Sequence, residues 1–318
     1  MDGILIIDKP AGLTSHDVVA RARRLLGERR VGHTGTLDPF ATGVLVLLLG
    51  RATRLAQFLS GAEKEYEATV RLGFSTDTGD LTGGRRGEVS GFAEVWGRAR
   101  IEPALGPLRG EIEQVPPMYS AKKIEGRKLY ELARQGVEVE RKAVRVSIRE
   151  LEFGGGGDAD VMRLNDDGTQ DVSLRVVCSA GTYVRTLAES IGESLGVGAH
   201  LAALRRTRAG TFGVAESVTL EQLAELCEAG RVGEILVSMN AALPAMPETH
   251  LTADDARRVL HGMAVGAPAD APERWVDGAR VRLVGGGGEL LFAVGVYDAS
   301  RALIRPRVML AAPDAATQ

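Results

Sequence analysis

The N-terminal part of the chain alternates short apolar runs with stretches whose apolar residues recur at helical spacing. An apolar run at 4–7 predicts a strand that ends in the turn-forming sequence Asp-Lys-Pro-Ala-Gly. Thr14 and Asp17 have the spacing of a capping box, and the helical repeat that follows ends at Gly27, so we expect a helix here. The apolar run at 44–49 predicts a buried strand or helix.

Further strands and helices are predicted from alternating and from helically spaced apolar residues. Alternating residues at 66–72 and 172–176 predict strands, and one-sided apolar positions predict helices beyond residue 181 and at 220–229. Residues 31–43 have no apolar period and are rich in glycine and threonine, so we expect a structured loop. Strands interleaved with helices in no strict βαβ rhythm indicate the α+β class rather than a doubly wound sheet.

Changes in composition divide the chain. The polar segment 98–149 predicts a mixed loop-and-helix lobe outside the core. Prolines bracket a linker at 243–247, and the tail predicts a short helix and three strands, with a glycine-rich hairpin turn at 285–288. We therefore expect a domain at 1–245 and a small β module at 251–312.

Composition narrows the classes of protein. No apolar run has the length of a membrane span, and the N-terminus lacks the pattern of a signal peptide, so a soluble cytoplasmic protein is expected. Cys178 and Cys227 are far apart and lack metal-ligand spacing, and the histidines are scattered, so we expect no metal and no disulfide framework.

The distribution of charge favours a nucleic-acid partner more than the total does. The formal net charge is −3, which by itself argues weakly against binding a polyanion. A solvated helix face is the simpler interpretation of any one basic cluster, but several clusters in an acidic chain favour an RNA-binding face. The clusters are Arg21, Arg23, Arg24, Arg29 and Arg30; Lys122, Lys123, Arg127 and Lys128; Arg141, Lys142 and Arg145; and Arg205, Arg206 and Arg208.

Three loops at the ends of predicted strands carry residues suited to catalysis. Residues 32–43 hold Asp38, which could act as a nucleophile or base, although an aspartate before proline is usually a turn former. Tyr66 is either a packing residue or a ring on which a base stacks. Arg185 lies in the first turn of a helix, where the dipole disfavours a cation, so it is either a surface residue or the partner of a buried carboxylate. These residues leave the reaction open.

The same loops resemble the motifs of the TruB family of pseudouridine synthases. The matching stretches run in family order across 3–240: KPAGLTSHDVV, GHTGTLDPFATGVL, KEYEA, RLGFSTDTGD, VPPMYSAKKIEGRKLYELAR, CSAGTYVRTL and GAHLAALRR. Glu65 departs from the usual Thr, Ser or basic residue. The tail is similar to the short PUA-type module of the stand-alone bacterial branch. The resemblance implies a catalytic domain with a central mixed, largely antiparallel sheet flanked by helices, plus a small C-terminal PUA-like β module.

The resemblance also implies the reaction. The family isomerises the uridine at position 55 in the T-loop of tRNA to pseudouridine, with no cofactor. By resemblance Asp38 is the catalytic carboxylate and Tyr66 stacks on a target base that has flipped out of the loop. Arg185 is expected to pair with Asp38, lower its pKa and keep it ionised.

Other residues acquire roles from the same resemblance. The residues expected to bind substrate are His33, Tyr183, Leu204, Lys64, Lys122, Lys123 and Arg127. Lys9 and Pro10 are expected to support the catalytic loop, and 98–149 to form an RNA-contacting lobe. The expected partner is the T-stem and T-loop of tRNA, bound by a monomer that needs no protein partner, metal or membrane.

Three alternatives remain open from the sequence. The chain could be an inactive relative that binds or folds tRNA, which the presence of Asp38, Tyr66 and Arg185 disfavours. It could be a glycosidase-like hydrolase with paired carboxylates, in which Asp77 or Asp80 would be the second acid. It could also be a synthase that depends on a guide RNA.

Overall fold

The computed structural model describes residues 1–120, 122–124, 126–133, 135–137, 139–154, 161–288 and 290–312. The strands within these residues are β1 (Gly3–Lys9), β2 (Val31–His33), β3 (Thr42–Leu49), β4 (Lys64–Leu72), β5 (Ser75–Thr76), β6 (Arg85–Arg86), β7 (Gly110–Gln114), β8 (Lys123–Ile124), β9 (Arg127–Lys128), β10 (Val144–Phe153), β11 (Met162–Leu164), β12 (Gln170–Cys178), β13 (Ala199–Ala209), β14 (Phe212–Gly213), β15 (Glu248–His250), β16 (Val265–Gly266), β17 (Arg280–Gly285), β18 (Leu290–Asp298) and β19 (Leu303–Met309). The helices are α1 (Ser15–Leu26), α2 (Ala56–Leu59), α3 (Arg98–Leu105), α4 (Leu129–Ala133), α5 (Val184–Leu195), α6 (Leu220–Glu228), α7 (Ala253–Leu260) and α8 (Ala271–Arg274).

One large mixed sheet forms the centre of the N-terminal domain. Its strand order is β1-β3-β13-β4-β12-β10-β7, with β2 beside β3, β11 beside β12 and β14 beside β13. Neighbouring strands are antiparallel except β3 and β13, which run parallel where Thr42 and Gly43 meet Arg205 and Arg206. The expected α+β class with a mixed, largely antiparallel sheet is confirmed.

The local sequence explains how the first elements form. Thr14 caps α1 and forms a capping box with Asp17, and Gly27 ends the helix in the left-handed conformation, as predicted. β3 lies between two apolar clusters, one containing Leu45 and α1, the other containing Val44 and the C-terminal module. Because both faces of β3 are buried, its sequence is a continuous apolar run instead of an alternating one.

Two segments that were predicted to lie outside the regular elements contain parts of the main sheet and core. Residues 31–33 form β2, which pairs with the end of β3, so the loop begins only after His33. The lobe predicted at 98–149 is wrong at both ends, because α3 is buried in the main core and both β7 and β10 belong to the main sheet. Polar outward-facing side chains on the edge strand β7 obscured its strand pattern.

The C-terminal module is a five-stranded sheet in the order β15-β17-β18-β19-β16, with a turn at 286–288 joining β17 to β18 as expected. The module packs on one face of the main sheet, where Val284, Leu291 and Leu310 share a buried cluster with Ile4 and Val44. Each such side chain contributes about 1.5–3 kcal/mol when fully buried, so this contact holds the two units together. In the described part of the chain, no helix has the length and apolar character needed to cross a bilayer.

Candidate active site

The loop between β2 and β3 carries Asp38 and is held in place by hydrogen bonds to β1 and α1. The Leu37 N–H donates to the Ser15 hydroxyl over 2.8 Å, and that hydroxyl donates to the Leu37 carbonyl over 3.1 Å. The buried Lys9 ammonium donates to the carbonyl oxygens of Pro10 (2.8 Å), Leu13 (2.6 Å) and Pro39 (3.2 Å). These bonds tie both flanks of Asp38 to β1 and α1.

Asp38 and Arg185 form an ion pair. Arg185 Nε lies 3.0 Å from Asp38 Oδ2, and Arg185 Nη2 donates to Oδ1 over 3.4 Å. The Arg185 side chain is only 5% exposed, and it also donates to the carbonyls of Thr78 (3.0 Å) and Tyr119 (2.7 Å). The expected pairing is therefore confirmed, and α5 supplies an arginine that is fixed by backbone groups as well as by the carboxylate.

The net effect on the Asp38 carboxyl differs from expectation. Burial raises its pKa above the ordinary value, the Arg185 charge opposes that rise, and the Asp80 charge adds to it. Arg185 thus acts on the Asp38 pKa in the expected direction, but burial of the carboxyl outweighs it and leaves the pKa raised. Arg185 is nevertheless the largest influence that favours the ionised form.

Asp80 is a site residue that the sequence reasoning assigned only to an alternative. It is 5% exposed, and its Oδ2 lies 3.7 Å from Arg185 Nη1. Its Oδ1 accepts from the Thr78 hydroxyl (2.9 Å), the Thr82 hydroxyl (2.6 Å) and the Thr82 N–H (2.9 Å). Asp77 is exposed and bonds within its own turn, so neither resembles a free second acid of a hydrolase. The signal for Asp80 was its place in the motif RLGFSTDTGD.

A cavity of about 250 Å³ opens beside Asp38. Tyr66 lies on its wall with 8% exposure, and burial raises the pKa of its hydroxyl. The lining residues are Thr34, Gly35, Thr36, Leu37, Asp38, Ser60, Lys64, Tyr66, Ser120, Ser179, Ala180, Gly181, Thr182, Tyr183, Val184, Arg185, Leu204 and Arg206. The structure thus brings the three predicted catalytic side chains to one cavity.

Three of the residues expected to bind substrate also line this cavity. Tyr183 and Leu204 form part of its apolar wall. Lys64 donates to the carbonyls of Ser60, at 2.7 Å, and Ala62, so its ammonium is engaged with backbone. Burial lowers the pKa of Lys64 to about 8. Lys64 therefore braces the segment before β4 as well as facing the cavity.

Three further expected contacts, His33, Lys122 and Arg127, lie outside the cavity. His33 is half-buried on β2, with an Nδ1 that has no hydrogen-bond partner, and burial lowers its pKa. Lys122 is half-buried, and the exposed Arg127 donates to Gln135 Oε1 over 2.8 Å. The side chain of Lys123 lies outside the described part of the structure.

Arg206 is a site residue that sequence reasoning grouped only with a basic cluster. It lines the cavity, is 2% exposed, and bonds to the loop that carries Asp38. It also lies opposite Tyr66 in the pairing of β13 with β4. Its position two residues after Leu204 in the motif GAHLAALRR was the available signal. In the described ranges, no group of three or more His, Cys, Asp or Glu side chains is placed to hold a metal ion.

Solved structures match the fold over nearly the whole chain. The chain in a structure of an H/ACA RNP bound to a substrate RNA containing 2′-deoxyuridine matches with a TM-score of 0.70 and 25% identity, covering 98% of this chain and 86% of that chain. A chain of a Cbf5-Nop10-Gar1 complex matches with a TM-score of 0.70 and 28% identity, over the same shares.

Two family models match consecutive parts of the sequence. The N-terminal domain of the TruB family pseudouridylate synthases matches 23–184, and the C-terminal domain of tRNA pseudouridylate synthase B matches 185–243. Together with the paired Asp38 and Arg185, this match defines a pseudouridine synthase, an enzyme of the isomerase class. The expectation of an enzyme is confirmed.

Curated relatives identify the family. Proteins named tRNA pseudouridine synthase B are 47% identical in Geobacillus thermodenitrificans, over 85% of this chain and 87% of the relative, and 49% identical in Aromatoleum aromaticum, over 85% and 83%. The protein of that name in Azoarcus sp. is 42% identical over 98% of this chain and 95% of the relative. The chain belongs to the TruB family.

Proposed function

We propose that this isomerase converts the uridine at position 55 in the T-loop of tRNA to pseudouridine, with Asp38 as the catalytic carboxylate. The observation that carries the proposal is the Asp38 carboxylate, held 3.0 Å from Arg185 on the wall of a cavity that Tyr66 also lines. The relatives' common name, tRNA pseudouridine synthase B, supports tRNA as the substrate.

The chemistry requires a base to be detached, turned and reattached within one site. The bond between N1 and the ribose breaks, a bond from C5 to the ribose forms, C5 loses its hydrogen, and N1 gains one. A cavity of about 250 Å³ has room for one flat base and little else. Asp38 acts on the base or the sugar, and Arg185 stabilises the carboxylate whenever it is charged.

The target base must leave the T-loop to reach this cavity. Flipping a base out of its stack costs a few kcal/mol, which contacts in the cavity and along the RNA offset. Tyr66 stacks on the flipped base, while Tyr183 and Leu204 close the apolar wall around it. His33, the last residue of β2 before the same loop, stabilises the opened T-loop.

Contacts outside the cavity hold the stem. Lys122, Lys123 and Arg127 lie between β7 and β10, and we assign them to phosphates of the acceptor and T stems. The module at 251–312 extends the RNA-binding surface. The enzyme works as a cytoplasmic monomer, without cofactor, guide RNA or protein partner.

Tritium release from tRNA labelled at C5 of its uridines tests the proposal, because the isomerisation exchanges that hydrogen with water. The purified chain alone should release about one equivalent per tRNA, and Asp38→Asn should release none while still binding tRNA. Asp77→Asn is the matched control, since it changes an exposed aspartate of another family motif and should leave release unchanged.

Three other outcomes of this experiment would each contradict one part of the proposal. Tight binding with no release by the wild type would make the chain an RNA-binding module. Release from a tRNA whose uridine 55 is replaced by cytidine would move the target position. Release only after addition of a guide RNA or a protein fraction would contradict stand-alone activity.

A further inference from the structure

Arg206 is a buried arginine whose described partners are mostly backbone carbonyls. It lies on β13, is 2% exposed, and belongs to the largest fully buried side chains of the described residues. Placing a guanidinium in such a site carries a desolvation penalty of several kcal/mol, and an apolar side chain of similar volume packs there at lower cost. Because a buried arginine is destabilising by itself, its presence here indicates a role beyond packing.

The hydrogen bonds of Arg206 reach both ends of the catalytic loop. Its Nη2 donates to the Gly35 carbonyl over 3.0 Å and its Nη1 to the Thr36 carbonyl over 3.4 Å. On the other side of Asp38 along the chain, its Nε donates to the Val44 carbonyl over 2.6 Å. One rigid planar group therefore fixes the distance between the entry and the exit of the loop.

Arg206 is also adjacent to the second catalytic element. It lies directly opposite Tyr66 in the pairing of β13 with β4, and both residues line the cavity. Arg206 thus connects the loop that carries Asp38 with the ring proposed to stack on the base. No ion pair among the described residues engages Arg206, so its charge is directed to these dipoles instead of to a carboxylate.

The backbone around Arg206 is shaped to permit this arrangement. Gly43, at the end of the loop, has a φ of +98°, and its parallel pairing places it directly against the Arg206 main chain. A β-carbon at Gly43 would lie 2.2 Å from the Arg206 carbonyl oxygen, so only glycine permits this approach. Gly43 therefore lets the end of the loop pack against the backbone of Arg206.

We propose that Arg206 is a positioning residue for the isomerisation, which sets the Asp38 carboxylate at a fixed distance from the Tyr66 ring. This inference rests on the proposed function. Arg206 acts through the loop and through its position opposite Tyr66, and its described hydrogen bonds go to backbone carbonyls of the protein. A displacement of about 1 Å in a reacting group reduces a rate by about 100-fold, so the fixation has a measurable effect on chemistry.

The test compares the chemical step with RNA binding in matched arginine variants. Arg206→Lys keeps the charge but cannot bridge both ends of the loop, and Arg206→Met keeps the length without a buried charge. Arg175→Lys is the control, because Arg175 lies on β12 of the same sheet and pairs with Glu65 and Glu150 instead of with the loop. Single-turnover tritium release with saturating enzyme, tRNA affinity and the thermal unfolding midpoint are measured for each.

A positioning role predicts a split between these readouts. The single-turnover rate should fall about 100-fold in Arg206→Lys and further in Arg206→Met. The tRNA affinity should stay within about threefold of wild type, since a rate-specific loss is the mark of an interaction used in the transition state. The Arg175→Lys enzyme should match wild type in rate.

Two results would overturn the inference. Rates for both Arg206 variants within threefold of wild type would show that the loop does not depend on Arg206. Failure of both variants to fold, or parallel loss of rate and affinity, would assign Arg206 a purely structural role. Absence of release by the wild type is a different result, because it removes the proposed function on which the inference rests, whereas loss of release in the Arg206 variants alone does not.

Discussion

The backbone of Gly43 lies so close to that of Arg206 that a β-carbon at position 43 would be 2.2 Å from the Arg206 carbonyl oxygen. This contact is where the parallel strands β3 and β13 meet, directly after the catalytic loop.

Gly43→Ala should destabilise the protein by at least about 2 kcal/mol, because the substitution adds a steric clash with backbone to the strain of a positive φ. Urea unfolding monitored by circular dichroism measures the loss. Gly27→Ala is the control, since Gly27 also has a positive φ but has no atom within 4 Å of the added carbon. It should cost only about 1–2 kcal/mol. Equal losses in the two variants would contradict the packing argument.

Arg185→Met should slow turnover strongly and leave the fold intact. Loss of the guanidinium removes the main influence that lowers the Asp38 pKa, so that pKa should rise further above its ordinary value. The acid limb of the profile of kcat/KM against pH should therefore move to higher pH. Arg205→Met is the control, because Arg205 pairs with Asp8 outside the cavity. An unchanged rate would remove Arg185 from the mechanism.

Asp80→Asn should move the same acid limb in the opposite direction. The Asp80 charge raises the Asp38 pKa, so its removal should lower that pKa and extend activity to lower pH. Asparagine keeps an acceptor for the Thr78 and Thr82 donors, which preserves the turn. A shift to higher pH in both Arg185→Met and Asp80→Asn would show that the profile reports another group.

The double variant Lys122→Gln/Arg127→Gln should bind tRNA more weakly and with a smaller salt dependence. Each lost phosphate contact reduces the slope of log K against log salt by about 1. The rate at saturation should be unchanged, since neither residue lines the cavity. Arg231→Gln controls for general charge, because Arg231 is exposed and pairs with Glu234 in an acidic region. Equal slopes for wild type and the double variant would exclude these contacts.

Local signals in the sequence predicted local structure well. The capping box at Thr14 and Asp17 and the stop at Gly27 specify α1 through short-range hydrogen bonds, which need no knowledge of the rest of the fold. The run at 44–49 left strand and helix open, because a segment buried on both faces has no period to read. The strand at 110–114 was missed because it lies at the edge of the sheet and most of its side chains are polar and exposed.

The site was predictable only in part for a similar reason. Asp38 and Arg185 lie in motifs that were recognised together, and their pairing followed from that resemblance. The balance between burial and charge at Asp38 depends on how deep the cavity is, and no sequence pattern reports that depth. The bonds of Arg206 join residues about 170 positions apart, and only the folded chain reveals them.

The parallel contact of β3 with β13 also constrains the order in which the enzyme matures. A nascent chain that has emerged only to the end of α5 already contains Asp38, Tyr66 and Arg185, yet β3 and β4 still lack the strand that separates them in the sheet. Contacts of such long sequence separation form slowly and late. Synthesis must therefore proceed past residue 209 before the site can assemble, so a ribosome-bound chain stays inactive until most of the catalytic domain has been made.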